Sequence, residues 1–447
     1  MRLLLTHGYF LAEDPKEQRI MKPYAPLGIL YLSSHLRAKG FDVEVYDSTF
    51  GSFAELTAML EVGPVGALGI YGNLMTRANV LRICRIAKGA GWTVLLGGPE
   101  PVNYAAEFIA AGADLIVKGE AEHSLEQLMR VKFRWDAWAG IPGLVFQGEN
   151  GIVNTGSPSL IADLDAQPWP DRGRIDMSRY LRTWREHHGK SSISVITARG
   201  CPYQCNWCSH SVYGHTHRRR SPGSVADEVE WIIDRYQPDM LWMADDVFTI
   251  HHGWLAGYAK EIARRGLRIP FECITRADRL NDQAADLLAE LNCSRVWIGS
   301  ESGSQRILDA MQRGVTLPQV HRAVSLCKSR GIETGMFLMW GYDGEQVEDV
   351  EATVDLVKQC RPDVFLTTIS YPIKGTPYFQ KVADRVETAG PWGDTTDREI
   401  RIRGRHSRNF YQHADDLLRS ELAALPDSAH IAAARQNLGL TAGEVEA

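Results

Sequence analysis

What this chain can fold into is constrained most by a rhythm. Short apolar runs alternate with stretches of helical periodicity, first over residues 1–140 and again over 191–380. In the first series "RLLLTH" precedes "LGILYLSSHLRAKG", where Leu27, Leu30, Tyr31 and Leu36 recur at helical intervals and Gly40 marks a stop. "FDVEVYD", "VGALGIYG", the helical "ANVLRICRIAKGAG", "WTVLLGG", a helix near 104–111 and "ADLIVKG" follow. Strand and helix in turn is the pattern of a doubly wound parallel sheet, whose ligands bind beyond the carboxyl ends of the strands. Those ends read "YGN" (71–73), "GGPE" (97–100) and "KGEAE" (118–122), which makes Gly97, Gly98, Gly119 and Glu120 candidate binding positions. Glycine lets backbone come close to a ligand, although tight turns would use the same residues.

The second series runs "SISVITA" (192–198), "MLWMADD" (240–246), "PFECITR" (270–276), "RVWIGSE" (295–301), "ETGMFLMW" (333–340) and "VFLTTISY" (364–371). Helical candidates lie between. In "SVADEVEWIIDRY", Val225, Val229, Ile232 and Ile233 share a face, and Ser224 with Asp227 suggests a capping box. Six βα units predict a partial (β/α)6 TIM barrel, with functional residues at the carboxyl strand ends. Over 141–190 the periodicity fades into a hairpin around Glu149–Gly151 and a Pro-rich linker. Residues 381–447 predict a helical region, with Tyr411, Ala414, Leu417, Leu418 and Leu422 on one side of a helix.

Within this frame "TARGCPYQCNWCSH" (197–210) places Cys201, Cys205 and Cys208 in the loop after the first barrel strand. The other five cysteines, Cys84, Cys273, Cys293, Cys327 and Cys360, are scattered and read as small buried hydrophobes. Three readings of the trio compete. A structural zinc would recruit His210, His215 or His217, but the x3-then-x2 spacing is not that of a usual zinc knuckle. A redox pair at Cys205–Cys208 would not need a third cysteine upstream. An iron–sulfur cluster held by three sulfurs leaves one iron open, the arrangement of a metal that binds substrate or cofactor.

A net charge of −6 and a pI near 6.2 give no overall pull toward nucleic acid or an anionic membrane. No apolar stretch is long enough to span a bilayer, and "MRLLLTHGYF" reads as a first strand, not a signal peptide. The expectation is a cytoplasmic protein.

"ARGCPYQCNWCS" after the first strand of a six-unit barrel resembles the cluster loop of the radical S-adenosylmethionine (SAM) enzymes, including the aromatic Trp207. The resemblance implies a 4Fe-4S cluster on Cys201, Cys205 and Cys208, with SAM chelated at the open iron and cleaved reductively to a 5′-deoxyadenosyl radical. It further implies that Asp245 and Asp246 hold the SAM amine, unless Asp246 is a helix N-cap. By the same resemblance Arg276 would hold the SAM carboxylate and Glu301, with Ser302 beside it, the ribose. "MFLMWGYDGE" and "SYPIKGTPYF" match the family's last two strand loops, with Lys374 where proline is usual.

"YAPLGILYLSSHLRAKGFDVEVYD", "LLGGPEP" and "GADLIVKGEAEHSLEQL" are similar to the Rossmann-like, cobalamin-binding type of domain that precedes the barrel in one large subgroup. That subgroup includes the anaerobic magnesium-protoporphyrin monomethyl ester cyclase and radical SAM methylases. The Asp-x-His-x-x-Gly signature is absent: the strand end reads "YGNLMT", and Leu74 or Met75 would face the cobalt. The implied activity is methylation of an unactivated carbon of a small molecule or natural-product precursor, or else oxidative ring formation or hydroxylation without methyl transfer, with a reductant such as flavodoxin or ferredoxin. A non-catalytic zinc- or cobalamin-binding module is the contrasting reading. The basic run "THRRRSPG" (216–223) reads as a solvated loop or as a contact to an anionic substrate group.

Overall fold

The computed structural model describes residues 2–210, 212–423 and 427–446. Two compact units divide the chain, one of residues 1–202 and 209–241, the other of 203–208 and 242–447.

In the first unit β1 (Leu3–His7), β2 (Val43–Val45), β3 (Ala67–Tyr71), β4 (Thr93–Gly97) and β5 (Leu115–Val117) pair in parallel in the order 2-1-3-4-5. A parallel sheet is covered on both faces, which is why all five residues of "LLLTH" are buried, the polar Thr6 and His7 included. On one face Ile29 and Leu36 of helix Leu27–Ala38 and Leu125 and Leu128 of helix Glu122–Arg130 join Leu3, Leu5 and Leu95 in one core. The order reverses between β1 and β3, so this is the topological switch point where a crevice opens.

The predicted hairpin forms, with Gly148 paired to Gly151 across a two-residue turn. Its strands β6 (Leu144–Gly148) and β7 (Gly151–Asn154) are not part of a linker, because β6 pairs antiparallel with β5 and extends the sheet. Within the stretch read as linker lies an unexpected helix, Met177–His188. Its Met177, Tyr180, Leu181 and Trp184 are buried at i, i+3, i+4 and i+7, and Asp176 caps it by accepting the Arg179 amide.

β8 (Ser192–Val195) opens the second series. The cysteine loop is closed at its base where β9 (Ala198–Arg199) pairs antiparallel with β10 (Arg218–Arg219). Helix Pro222–Tyr236 starts ahead of the expected cap: Ser221 accepts the Ser224 amide, and Pro222 supplies a preset φ in the first turn. Two arginines of the basic run are engaged within the fold. Arg218 pairs with Glu120 at 2.6 Å, while Arg220 and Arg172 grip the fully buried Glu228, the latter at 2.6 Å.

The remaining strands fall where expected: β11 (Met240–Met243), β12 (Phe271–Thr275), β13 (Cys293–Glu301), β14 (Glu333–Trp340) and β15 (Val364–Ile369). β12 to β15 are parallel neighbours in chain order. The register of β13 against β14 slips between Gly299 and Glu301, and Glu301 takes a φ of 59°. The five scattered cysteines are all buried. The tail forms helices Arg408–Glu421 and Ser428–Thr441, and the first of these buries Tyr411, Ala414, Leu417 and Leu418 as predicted, with Leu422 half-buried at its end. Thr367 of β15 donates to Asp415 at 2.6 Å, which ties the tail to that strand.

After β14, Gly341 turns with a φ of 74° and donates its amide to Glu345 Oε2 at 2.6 Å. Burial pushes the Glu345 carboxyl up to about 8; the Gly341 amide opposes this, Asp349 reinforces it, and Arg405 and Arg306 oppose it. A carboxyl raised on folding stabilises the fold below its ordinary value, about 4.3, and that contribution is lost as pH climbs through 8. Relative to Glu345→Gln, the wild-type melting temperature should therefore fall by several degrees between about pH 5 and 8.5. Parallel melting curves for the two proteins across that range would refute the shift.

Candidate active site

The cysteine loop owes its shape to protein contacts. Cys208 donates its amide to the Cys205 carbonyl at 3.2 Å, which closes a tight turn. Between them Asn206 acts as a bolt. Its amide reaches Met311 O at 3.1 Å, its Nδ2 reaches Ala310 O at 2.8 Å, and its Oδ1 accepts Tyr342 Oη at 3.0 Å. Its carbonyl accepts the Tyr378 amide at 2.9 Å. Trp207 packs against the cluster of Ile307, Met311, Tyr342 and Tyr378, so its ring supports the loop.

Two guanidinium groups converge on the buried Cys205 sulfur: Arg313 Nη1 at 3.5 Å and Arg276 Nη1 at 3.7 Å. Arg276, the residue that the resemblance gives to the SAM carboxylate, has its Nε and Nη2 donors in use. Nε goes to Asp278 at 2.9 Å, Nη2 to Arg313 O at 2.8 Å, and the group stacks over Tyr203 at 3.7 Å. Arg313 also donates Nη2 to Gly299 O at 3.0 Å, and its Nε lies 3.6 Å from Glu301 Oε1. Burial pushes the Glu301 carboxyl up, against the pull of Arg313 and Arg276.

At the end of β11, Asp245 is buried and Asp246 opens to solvent. Crowding around Asp246 and the adjacent Asp245 charge push its carboxyl up. The next helix begins at His252 with His251 at its cap, so Asp246 is no N-cap. Ser302 is fully buried and turned toward Thr353, at 3.3 Å, while accepting the Ser304 amide at 3.1 Å. It braces the loop behind Glu301.

In the first unit a cavity of about 420 Å³ opens at the switch point. Leu5 of β1, Tyr71 of β3, Gly97 at the end of β4 with Gly98 after it, and Gly119 and Glu120 after β5 line it. Gly98 has a φ of 105°, and a Cβ there would sit 2.3 Å from Gly72 O and 3.0 Å from the Tyr71 ring. Position 98 admits only glycine. Glu120 is not available to a ligand's polar groups: it binds Arg199 at 3.0 Å, Arg218 at 2.6 Å and the Ile161 amide at 2.8 Å. Burial alone would raise its pKa, but those hydrogen bonds prevail and hold it low. Leu74 and Met75 lie on the turn after β3 outside the cavity lining, with Leu74 half-buried and Met75 exposed. Among the described residues no histidine lines the cavity.

The zinc reading finds no support in the side chains. Among the described residues no cysteine belongs to a set of three His, Cys, Asp or Glu ligand atoms within 4.8 Å of one another. A single zinc, about 2.3 Å from each sulfur, needs such a set. The set that does converge, His35, His123 and Glu126, has partners already: His35 bonds Gln167 at 2.9 Å and Glu126 at 3.2 Å, and Arg130 holds Glu126 at 2.6 Å.

Residues 195–357 match the radical SAM superfamily, and residues 20–129 match the B12 binding domain. The chain therefore belongs to the radical SAM enzymes whose barrel follows a B12 binding domain, and the cofactors of that class are a 4Fe-4S cluster, SAM and cobalamin. Its relatives are equally specific. It is 29% identical over 361 residues to an uncharacterized methyltransferase of Pyrococcus horikoshii, covering 78% of this chain and 77% of the relative. It is 26% identical over 401 residues to the anaerobic magnesium-protoporphyrin IX monomethyl ester cyclase of Rubrivivax gelatinosus, covering 87% and 71%. Its fold is similar to that of the radical SAM methyltransferase TsrM from Kitasatospora setae, solved with cobalamin and a [4Fe-4S] cluster: TM-score 0.73, 21% identity, 87% of this chain and 78% of that one. An α/β chain with a Rossmann-like first domain and a parallel-stranded second domain is thereby established.

The residues fit these groups. Sulfur donors flanked by guanidinium groups suit a cluster that carries net negative charge. A glycine-walled, mainly apolar cavity suits the nucleotide part of a corrinoid, though it is too small for the ring as well. Gly98→Ala should therefore strain the backbone by about 1–3 kcal/mol and cut retained cobalamin at least tenfold, read from the corrinoid absorption of the purified protein. Wild-type retention by this variant would remove the cavity from the cofactor site.

Proposed function

We propose that this chain is a cobalamin-dependent radical SAM methyltransferase acting on an unactivated carbon of a small molecule. The observation that carries the reading is the pairing of the guanidinium-flanked Cys205 loop with a glycine-walled cavity at the switch point of a B12 binding domain. When bound, the cluster with SAM supplies a hydrogen-abstracting 5′-deoxyadenosyl radical, and the corrinoid carries the methyl group.

Cys201, Cys205 and Cys208 hold the cluster. Asp245 and Asp246 offer carboxylates to the SAM ammonium, a charge-assisted pairing. Glu301, presented by the slipped end of β13, accepts from the ribose hydroxyls. Arg276 serves as a brace for the loop and leaves the SAM carboxylate to other donors. Gly97, Gly98 and Gly119 would cradle the corrinoid's nucleotide part, and Leu74 or Met75, on the turn beside the cavity, would face the cobalt. Burial of Cys205, Asp245 and Glu301 keeps water from that part of the site. Electrons come from a low-potential protein of the flavodoxin or ferredoxin class, which fits a cytoplasmic location. No helix among the described residues is long and apolar enough to cross a membrane.

A second reading, oxidative ring formation, is favoured by the likeness to the Rubrivivax cyclase. One assay separates the two. Anaerobic incubation with SAM carrying a deuterated methyl group, reductant and extracted metabolites should yield 5′-deoxyadenosine and a product bearing the label. A product that is oxidised but unlabelled would favour the cyclase. Cys205→Ala should lower 5′-deoxyadenosine by at least 100-fold; undiminished formation would sink both readings.

A further inference from the structure

Arg313 lies in the turn after helix Gln305–Ala310, where Gln312 and Gly314 take φ values of 53° and 62°. Its amide is tied to Leu308 O at 3.0 Å and its carbonyl to Arg276 at 2.8 Å, so the backbone is held from both sides. The guanidinium is buried, and each of its three nitrogens faces something different: Nη2 the Gly299 carbonyl, Nη1 the Cys205 sulfur at 3.5 Å, and Nε the Glu301 carboxyl at 3.6 Å. Glu301 is itself buried on the slipped strand end. One cation thus touches both a cluster sulfur and the carboxyl that stands where SAM's ribose is expected.

N–H donors and positive charge beside cluster sulfurs stabilise the form carrying one more electron and raise the reduction potential. A neighbouring carboxylate does the reverse, and in a buried site each effect is felt strongly. We propose that Arg313 is a positioning residue that links Glu301 to Cys205, so that filling the Glu301 site with SAM changes how readily the cluster accepts its electron. By reciprocity, reduction then changes the affinity for SAM by the same factor. The inference rests on the radical SAM reading above, but it concerns equilibrium reduction, in which one electron passes from the reductant to the cluster and no bond breaks.

The test is a potentiometric titration of the anaerobically reconstituted full chain, followed by electron paramagnetic resonance, with and without the SAM analogue aza-SAM, which lacks the sulfonium bond that reduction would cleave. Arg313→Gln should disfavour reduction about tenfold, equivalent to about 59 mV for one electron. Arg313→Lys, which keeps the charge, should recover most of the loss. Glu301→Gln should move the midpoint upward, and by less when Arg313 is already Gln. The shift that the analogue produces in the wild-type protein should shrink in Arg313→Gln.

A wild-type midpoint in Arg313→Gln, or strictly additive effects of the two substitutions, would overturn the linkage. Should Arg313→Gln fail to assemble four irons per chain, the lysine and Glu301 variants carry the same comparison. No turnover or substrate is needed. A failed methylation assay therefore leaves this result intact, whereas a chain that assembles no cluster at all would overturn the reading beneath it.

Discussion

Two arginines meeting at one sulfur explain much of the second unit. A buried guanidinium is costly unless its charge and its donors are satisfied, and Arg276 and Arg313 divide that requirement between Cys205, Asp278, Glu301 and backbone carbonyls. Their arrangement ties the loop after β8 to the ends of β12 and β13. The positions of Glu301, Tyr203 and the 311–314 turn follow from it, because each supplies a partner that the two cations need.

The candidate sites in both units rest on one architectural cause. Parallel strands end together, and the loops leaving their carboxyl ends are free of ladder hydrogen bonds. In the first unit those loops shorten to glycines and leave a cavity. In the second they carry carboxylates, arginines and cysteines. The ionic network of Glu120, Arg199 and Arg218 shows how the base of such a loop is held: the basic residues next to the cysteine loop are spent on carboxylates of the first sheet.

The strand series, the cysteine trio and the buried face of the tail helix were all legible in the sequence, because each rests on a local pattern. The helix Met177–His188 also had its i, i+3, i+4, i+7 signal, but Tyr, Thr, Trp and His are indifferent helix formers and the prolines before it suggested a linker. The true cap at Ser221 was hidden by a second serine three residues on. Arg276 and Ser302 sat at the right strand ends, yet no pattern along a chain reports that their polar atoms are already engaged. Asn206 and Arg313 escaped notice for the opposite reason. The sequence assigns a role to neither residue, and only long-range contacts reveal what they do.

The bolt at Asn206 shows what shapes the loop. The stretch between Cys205 and Cys208 is pinned by Met311, Ala310, Tyr342 and Tyr378, all of them groups of the protein itself. A loop held in this way presents its side chains at preset positions, so whatever binds there does not have to organise the backbone first.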